Sequence, residues 1–335
     1  MHRTAGPSIR AAVTIRPASE SDLARIVEIA NAVFPDFPET VDEAEAFEAR
    51  LRAGNYVSVH ALADTPGGEA VGFARFRHMP GQFDPSRYHL AVFTHPGWRR
   101  RGIGGALYDW ALVDLRGRGA RSLESFARET MPEAAAFLER RGFRESMRTW
   151  ETRLDLTRCD PATFAHYHDR VRSAGVVITT LADERARDPG ALRRAYELHN
   201  AILTDIPSPV PFTPPPFEHY LRGTVESPRA LLDGYFIAKI GDRYVGEANL
   251  QRPSMGTALY HNVTGVLLPY RGRGIAMVLK LATIAYGQAR GYAEIRTWNE
   301  TNNRGMLAIN DRLGFVRQPA WVTFEKTLSP AASSL

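Results

Sequence analysis

The chain has 335 residues, 44% of them hydrophobic and 24% charged, with a formal charge of +5; this is a globular composition, long enough for two domains of about 150 residues. Only Lys239, Lys280 and Lys326 are lysines, and the many arginines are interspersed with Asp and Glu, so the net charge does not describe a nucleic-acid-binding tail. The lone Cys159 excludes an internal disulfide and a cysteine-based metal site, and no window approaches the ~18 apolar residues of a membrane span or carries a leader's apolar core, so a cytoplasmic protein is expected.

In chain order, AVTIRPA near Val13 predicts a strand, and SESDLARIVEIANAV a helix started by Ser19 or Ser21 with Leu23, Ile26, Val27 and Ile29 on one face. A second helix is expected from Val41 to Leu51, then strands at Val57–Ala61, Ala70–Phe76 and Tyr88–Phe93. An Arg- and Gly-rich junction opens a helix with Ile103, Leu107, Trp110 and Ala111 at helical spacing. A strand at Ser122–Phe126, a helix at Pro132–Arg141 and a final strand follow. Asp160 to Gly175 reads as a connecting helix; His166 and His168, without further ligands nearby, fit a solvated face better than a metal site.

From Val176 the same order begins again. YHLAVFTHPGWRRRGIGGAL at Tyr88 and YHNVTGVLLPYRGRGIAMVL at Tyr260 share 7 of 20 positions, where composition predicts on the order of one or two. The later Gly142-Phe143 and Gly314-Phe315 keep the same offset, 314 − 142 = 172, while VGFARF at Val71 and VGEANL at Val245 are offset by 174. A period this long means two copies of one α/β domain with a mixed sheet. The expected division is 1–156, a connector at 157–175, and 176–335.

The junctions, strand to Gly-rich turn to helix, suit a phosphate: the first helical N–H groups lack partners, the helix dipole is positive there, and glycine permits close approach. No Gly-Lys-Ser/Thr follows, and Leu107 and Met277 stand where a dinucleotide fingerprint needs its third Gly. What remains is R-x-x-G-x-G/A: Arg99, Gly102 and Gly104 in the first copy, Arg271, Gly274 and Ala276 in the second.

With that doubled motif and the downstream Gly-Phe, the chain resembles the GNAT superfamily of acyl-CoA-dependent N-acyltransferases over nearly its whole length. The resemblance implies that Arg99, Arg101, Gly102 and Gly104, and Arg271, Gly272, Arg273, Gly274, Ile275 and Ala276, hold the CoA pyrophosphate. It also implies a strand N–H near Val266 for the thioester carbonyl and Asn299 and Asn303 beside the pantetheine arm. The reaction implied is attack by an amine on acetyl-CoA or another acyl-CoA, without a metal, and the chain is expected as a monomeric pseudo-dimer or a homodimer.

For proton transfer, His261 pairs with His89 across the repeat, whereas Glu247 faces Phe73 at the matching position, so a carboxylate occurs in one copy only. Many family members place a Tyr four residues before the late Gly-Phe; here Leu138 and Asn310 stand there, leaving Tyr260, Tyr270 or water to protonate the thiolate. Asn310 joins Asn299, Asn302 and Asn303 in a set found only in the second copy, which marks that copy as the catalyst. The Pro-rich stretch Thr204–Tyr220, with Asp205, Phe212, Phe217, Glu218 and Tyr220, is expected to border the acceptor. A non-catalytic acyl-CoA sensor is the competing reading.

Overall fold

The computed structural model describes residues 12–206, 208 and 210–329. The first repeat contains β1 (Thr14–Pro17), α1 (Leu23–Val33), α2 (Val41–Ala53), β2 (Ser58–Asp64), β3 (Ala70–Arg77), β4 (Arg87–Thr94), α3 (Ile103–Gly117), β5 (Ser122–Arg128), α4 (Pro132–Glu139) and β6 (Arg144–Asp155). The connector is α5 (Ala165–Ser173). The second repeat contains β7 (Val177–Thr180), α6 (Leu181–Arg187), α7 (Ala191–Thr204), α8 (Phe217–Tyr220), β8 (Ala230–Ile240), β9 (Arg243–Gln251), β10 (Ala258–Val266), α9 (Ile275–Ala289), β11 (Glu294–Glu300), α10 (Arg304–Leu313), β12 (Val316–Arg317) and β13 (Trp321–Thr327). The elements expected of the first repeat are present in the expected order, and α6 is an addition in the second. Pro207 and Pro209, within the proposed acceptor loop, lie outside the described residues.

Repeats and compact units divide the chain differently. Among the described residues one unit comprises 12–126, 136–145 and 323–329, the other 127–135 and 146–322. The first has strand order β1-β2-β3-β4-β5-β13, so its outer strand comes from the far end of the sequence. The second has order β6-β11-β10-β9-β8-β7, with β12 on β6. β6 runs antiparallel to β11 from Glu294↔Asp155 to Glu300↔Thr149. Local chemistry accounts for this: Arg144 to Asp155 contains no Gly, Pro or Asn, so nothing turns β6 back after its first residues and the extended chain runs on.

In the second unit α9 is buried on nearly every side, including Met277, Leu279, Leu281 and Ile284. Leu281 and Ile284 pack with Leu250, Leu259, Ile295 and Phe315 on one face of the sheet. On the other face Leu198 and Ile202 of α7 meet Tyr235, Ile237 and Val263. Gly265 marks the tightest approach: a Cβ there would fall inside the contact radius of Ile202 Cγ2. Gly265→Ala is expected to destabilise the protein by about 1–3 kcal/mol, with most of the loss recovered by adding Ile202→Ala; denaturant unfolding of the single and double variants checks this.

Candidate active site

Both junctions form the turn that the sequence implied. In the first repeat Arg100 (φ 64°) and Gly102 (φ 84°) carry the left-handed conformations, and Gly102 caps α3. In the second, Gly272 (φ 75°) and Gly274 (φ 90°) do so, and Gly274 caps α9 without a side-chain partner for the first amides. The arginines brace these loops. Arg271 donates Nε to Val266 O at 2.8 Å and Nη2 to Asp205 at 2.9 Å. Arg273 donates to Pro269 O at 3.1 Å, and Arg101 lies 4.7 Å from the Trp98 ring centre.

In the second unit the loop is covered by α5. A Cβ on Gly274 would sit 2.9 Å from Tyr167 Cδ1. Arg170 donates to Gly272 O at 2.9 Å, and Arg312 of α10 donates to the Tyr167 hydroxyl at 2.6 Å. The approach that glycine leaves open at Gly274 is thus taken by a tyrosine ring.

β10 and β11 pair in parallel only from Ala258↔Glu294 to His261↔Thr297, although both strands continue. At the point of parting β10 bulges, leaving Asn262 out of register with β9. Leu267 N bonds to Val245 O, so by antiparallel alternation Val263, Gly265 and Leu267 address β9, while Thr264 and Val266 turn their N–H groups away from it. The Val266 carbonyl, which accepts from Arg271, confirms that side. In the first repeat β3 and β4 pair without interruption from Gly72↔Thr94 to Arg77↔His89.

Glu247 is fully buried on the α7 face, where its carboxylate accepts from Tyr235 and pairs with His199 Nδ1 at 2.8 Å. Tyr220 lies 3.2 Å from the Tyr235 hydroxyl. Burial and the neighbouring carboxylate raise the pKa of both tyrosines, so they remain protonated donors. At the matching place in the first unit Phe73 meets Phe93 at 4.7 Å, and Phe34 meets Phe93 edge-on at 5.7 Å. A network able to accept a proton is built in one repeat, and an aromatic cluster fills its place in the other.

His261 lies apart from Glu247. It pairs across the ladder with Leu250, whose side chain is in the α9-side core, three residues from Glu247 and therefore on the opposite face. Its Nε2 contacts Thr264, its buried Nδ1 has no partner, and burial, followed by the charge of Lys280, holds the imidazole neutral. Tyr260 stacks on Trp298 at 5.6 Å, with the Arg229 guanidinium 4.4 Å from its ring centre. Asn310 is fully buried, donating to Asn299 at 2.7 Å while its own Oδ1 lacks a partner. Asn303 caps α10 through Met306 N. In the expected acceptor loop, Asp205 is held by Arg271, and the Phe217 ring lies 3.8 Å beneath the Arg193 guanidinium.

Two groups escaped the sequence reading. His199 lies among Ala195, Leu198 and Ile202 on the buried face of α7, and a histidine in such a stripe was the available signal. Lys280 interrupts an apolar helix and is 1% exposed; its ammonium lies 4.8 Å from the Phe315 ring centre, and burial lowers its pKa from 10.5 to about 7. No carboxylate among the described residues pairs with it. His89 is buried with both ring nitrogens unpartnered, and among the described residues no group of three His, Cys, Asp or Glu side chains is placed to hold a metal.

Two strand–glycine turn–helix junctions in two mixed-sheet units define a tandem acyltransferase fold of the GNAT kind. Residues 23–143 match the family described as acetyltransferase (GNAT) family, a domain of acyl-CoA-dependent N-acyltransferases. The chain is 26% identical over 282 residues to the mycothiol acetyltransferase of Thermobispora bispora, covering 82% of this chain and 86% of that protein. It is 25% identical to that of Geodermatophilus obscurus, covering 96% and 99%. In fold it is similar to a tandem GNAT protein from the clavulanic acid biosynthesis pathway (TM-score 0.70, 19% identity, covering 96% of this chain and 100% of that one). A GCN5-related N-acetyltransferase from Sphaerobacter thermophilus is also similar in fold (TM-score 0.66, 20% identity, covering 95% and 96%). No helix among the described residues is long and apolar enough to cross a membrane.

Proposed function

We propose that the second repeat is the catalytic one and moves an acetyl or short acyl group from CoA to the amine of a small acceptor. The Glu247–His199–Tyr235 network beside the open edge of β10, replaced in the first repeat by Phe73, carries this reading. With Nδ1 tied to the carboxylate, His199 has Nε2 left as the base, and Glu247 stabilises the imidazolium that forms. The amine loses its proton to Nε2 as its nitrogen bonds to the thioester carbon. The N–H groups of Thr264 and Val266 support the oxyanion, and the C–S bond breaks.

The thiolate leaves on the α9 face, where Lys280 and neutral His261 lie, and Lys280 supplies its proton. Base and acid thus occupy opposite faces of the sheet. The turns at 271–276 and 99–104 are the pyrophosphate cradles of this reading, with Asn299 and Asn310 beside the pantetheine arm. A cytoplasmic monomer acting as a pseudo-dimer belongs with the same proposal. The relatives' name makes mycothiol chemistry the first acceptor class to test. Release of CoA from acetyl-CoA with such an amine, lost in a His199→Ala variant, is the expected result; no release with any of a broad amine panel would overturn the reading.

Tyr167 over Gly274 favours a second reading, in which the covered cradle makes the protein a sensor. Tyr167→Ala is expected to tighten acetyl-CoA binding by about 10-fold, the equivalent of ~1.4 kcal/mol, as measured by calorimetry. Tight binding in the variant together with absent turnover across the panel would favour the sensor.

A further inference from the structure

In the first unit, β3 places Arg75 and Arg77 on the same face of the sheet, and the ladder sets His60 and Ser58 opposite them on β2 and His89 opposite Arg77 on β4. Neither arginine makes a hydrogen bond or ion pair with any described residue; Arg77 lies only over the Phe47 ring, 4.3 Å from its centre. Arg50 caps the same ring at 4.9 Å. Glu48 pairs instead with His60 at 3.4 Å, and Glu48 and Glu39 act on the arginines only at longer range.

Two guanidinium groups two residues apart on a strand, enclosed by protein and unpaired, repel each other and lose hydration. Burial lowers the pKa of both, that of Arg77 to about 9, and each arginine keeps some accessible surface. The fold does not require them: the second repeat has Asn249 and Gln251 at the matching positions, since 249 − 75 = 174 and 251 − 77 = 174. His89, its ring tilted over Phe126 at 4.7 Å with both nitrogens unpartnered, lies beside them.

We infer that this arginine cluster binds a small organic carboxylate, held between Arg75 and Arg77 against the Phe47 ring. Guanidinium forks match a carboxylate in two parallel hydrogen bonds. Arg50, Arg75 and Arg77 against Glu39 and Glu48 leave one positive charge, which a single carboxylate neutralises, and aromatic walls favour an organic body over a bare inorganic ion. The site does not depend on which repeat turns over.

Thermal unfolding of the full chain in acetate, succinate, benzoate, inorganic phosphate and chloride at matched ionic strength tests the site, with Arg75→Gln and Arg77→Gln as variants. A saturable rise of at least about 2 °C with a carboxylate, absent in both variants, is expected. Without ligand, Arg75→Gln is expected to be at least as stable as the parent, because an unpaired enclosed charge is removed. Responses equal to chloride, a response to phosphate alone, a carboxylate response unchanged in both variants, or loss of stability in ligand-free Arg75→Gln would each overturn the proposal.

Discussion

Lys280→Met is expected to stabilise the protein by roughly 4 kcal/mol at pH 6 while lowering turnover by at least about 10-fold. The stability half follows from linkage. Lys280 titrates at about 7 in the folded chain and 10.5 in the unfolded one. Below pH 7 both states are protonated and the folded state bears the full penalty of a buried ammonium. Between pH 7 and 10.5 the unfolded chain holds a proton that the folded chain has lost, so wild-type stability rises with pH; above 10.5 the penalty is gone. The gain from Met therefore shrinks from pH 7 upward, which denaturant unfolding at pH 6, 8 and 10 reads directly. The kinetic half separates an acid from a packing residue: turnover of the wild type should fall above pH 7 as Lys280 deprotonates, and this limb should be missing from the variant. Full activity in Lys280→Met would assign the thiolate's proton to water.

Glu247→Gln is expected to reduce kcat by about 100-fold to 10,000-fold with little change in the KM for acetyl-CoA. An amide retains the shape and a hydrogen bond to His199 but cannot stabilise the imidazolium that forms as the amine is deprotonated. Tyr235, which donates to the carboxylate, would keep a partner in the amide oxygen, so the fold should survive. The complementary change, Phe73→Glu, should not create activity in the first repeat, because no histidine is hydrogen-bonded there and β4 has no bulge. A small effect of Glu247→Gln would move the base away from the His199 pair.

The repeat, the order of elements and both glycine turns were legible because each rests on local signals: alternation, helical spacing, and Gly where φ is positive. Glu247 was visible as a carboxylate without a counterpart in the first copy, yet its partner His199 lies 48 residues away and only the fold joins them. The opposite facing of His261 and Glu247 depends on strand register around the bulge at Asn262, and that residue has no sequence signature. Arg271 reads as a phosphate ligand from its place in the motif; its bond to Asp205, 66 residues away, depends on the fold. Tyr167 read as part of a plain connector because nothing in a short helix tells which surface it covers.

The late arrival of β13 has a consequence for biosynthesis. In the first unit Leu328 bonds Arg121 across a separation of 328 − 121 = 207 residues. On a ribosome adding about 5–20 residues per second, β5 waits at least about ten seconds for its outer partner. Until then its edge is an unpaired template of the kind that recruits other chains. Nascent protein should therefore depend on chaperone capacity more than its length suggests, and truncation from Trp321 onward, which removes β13, should expose that edge permanently.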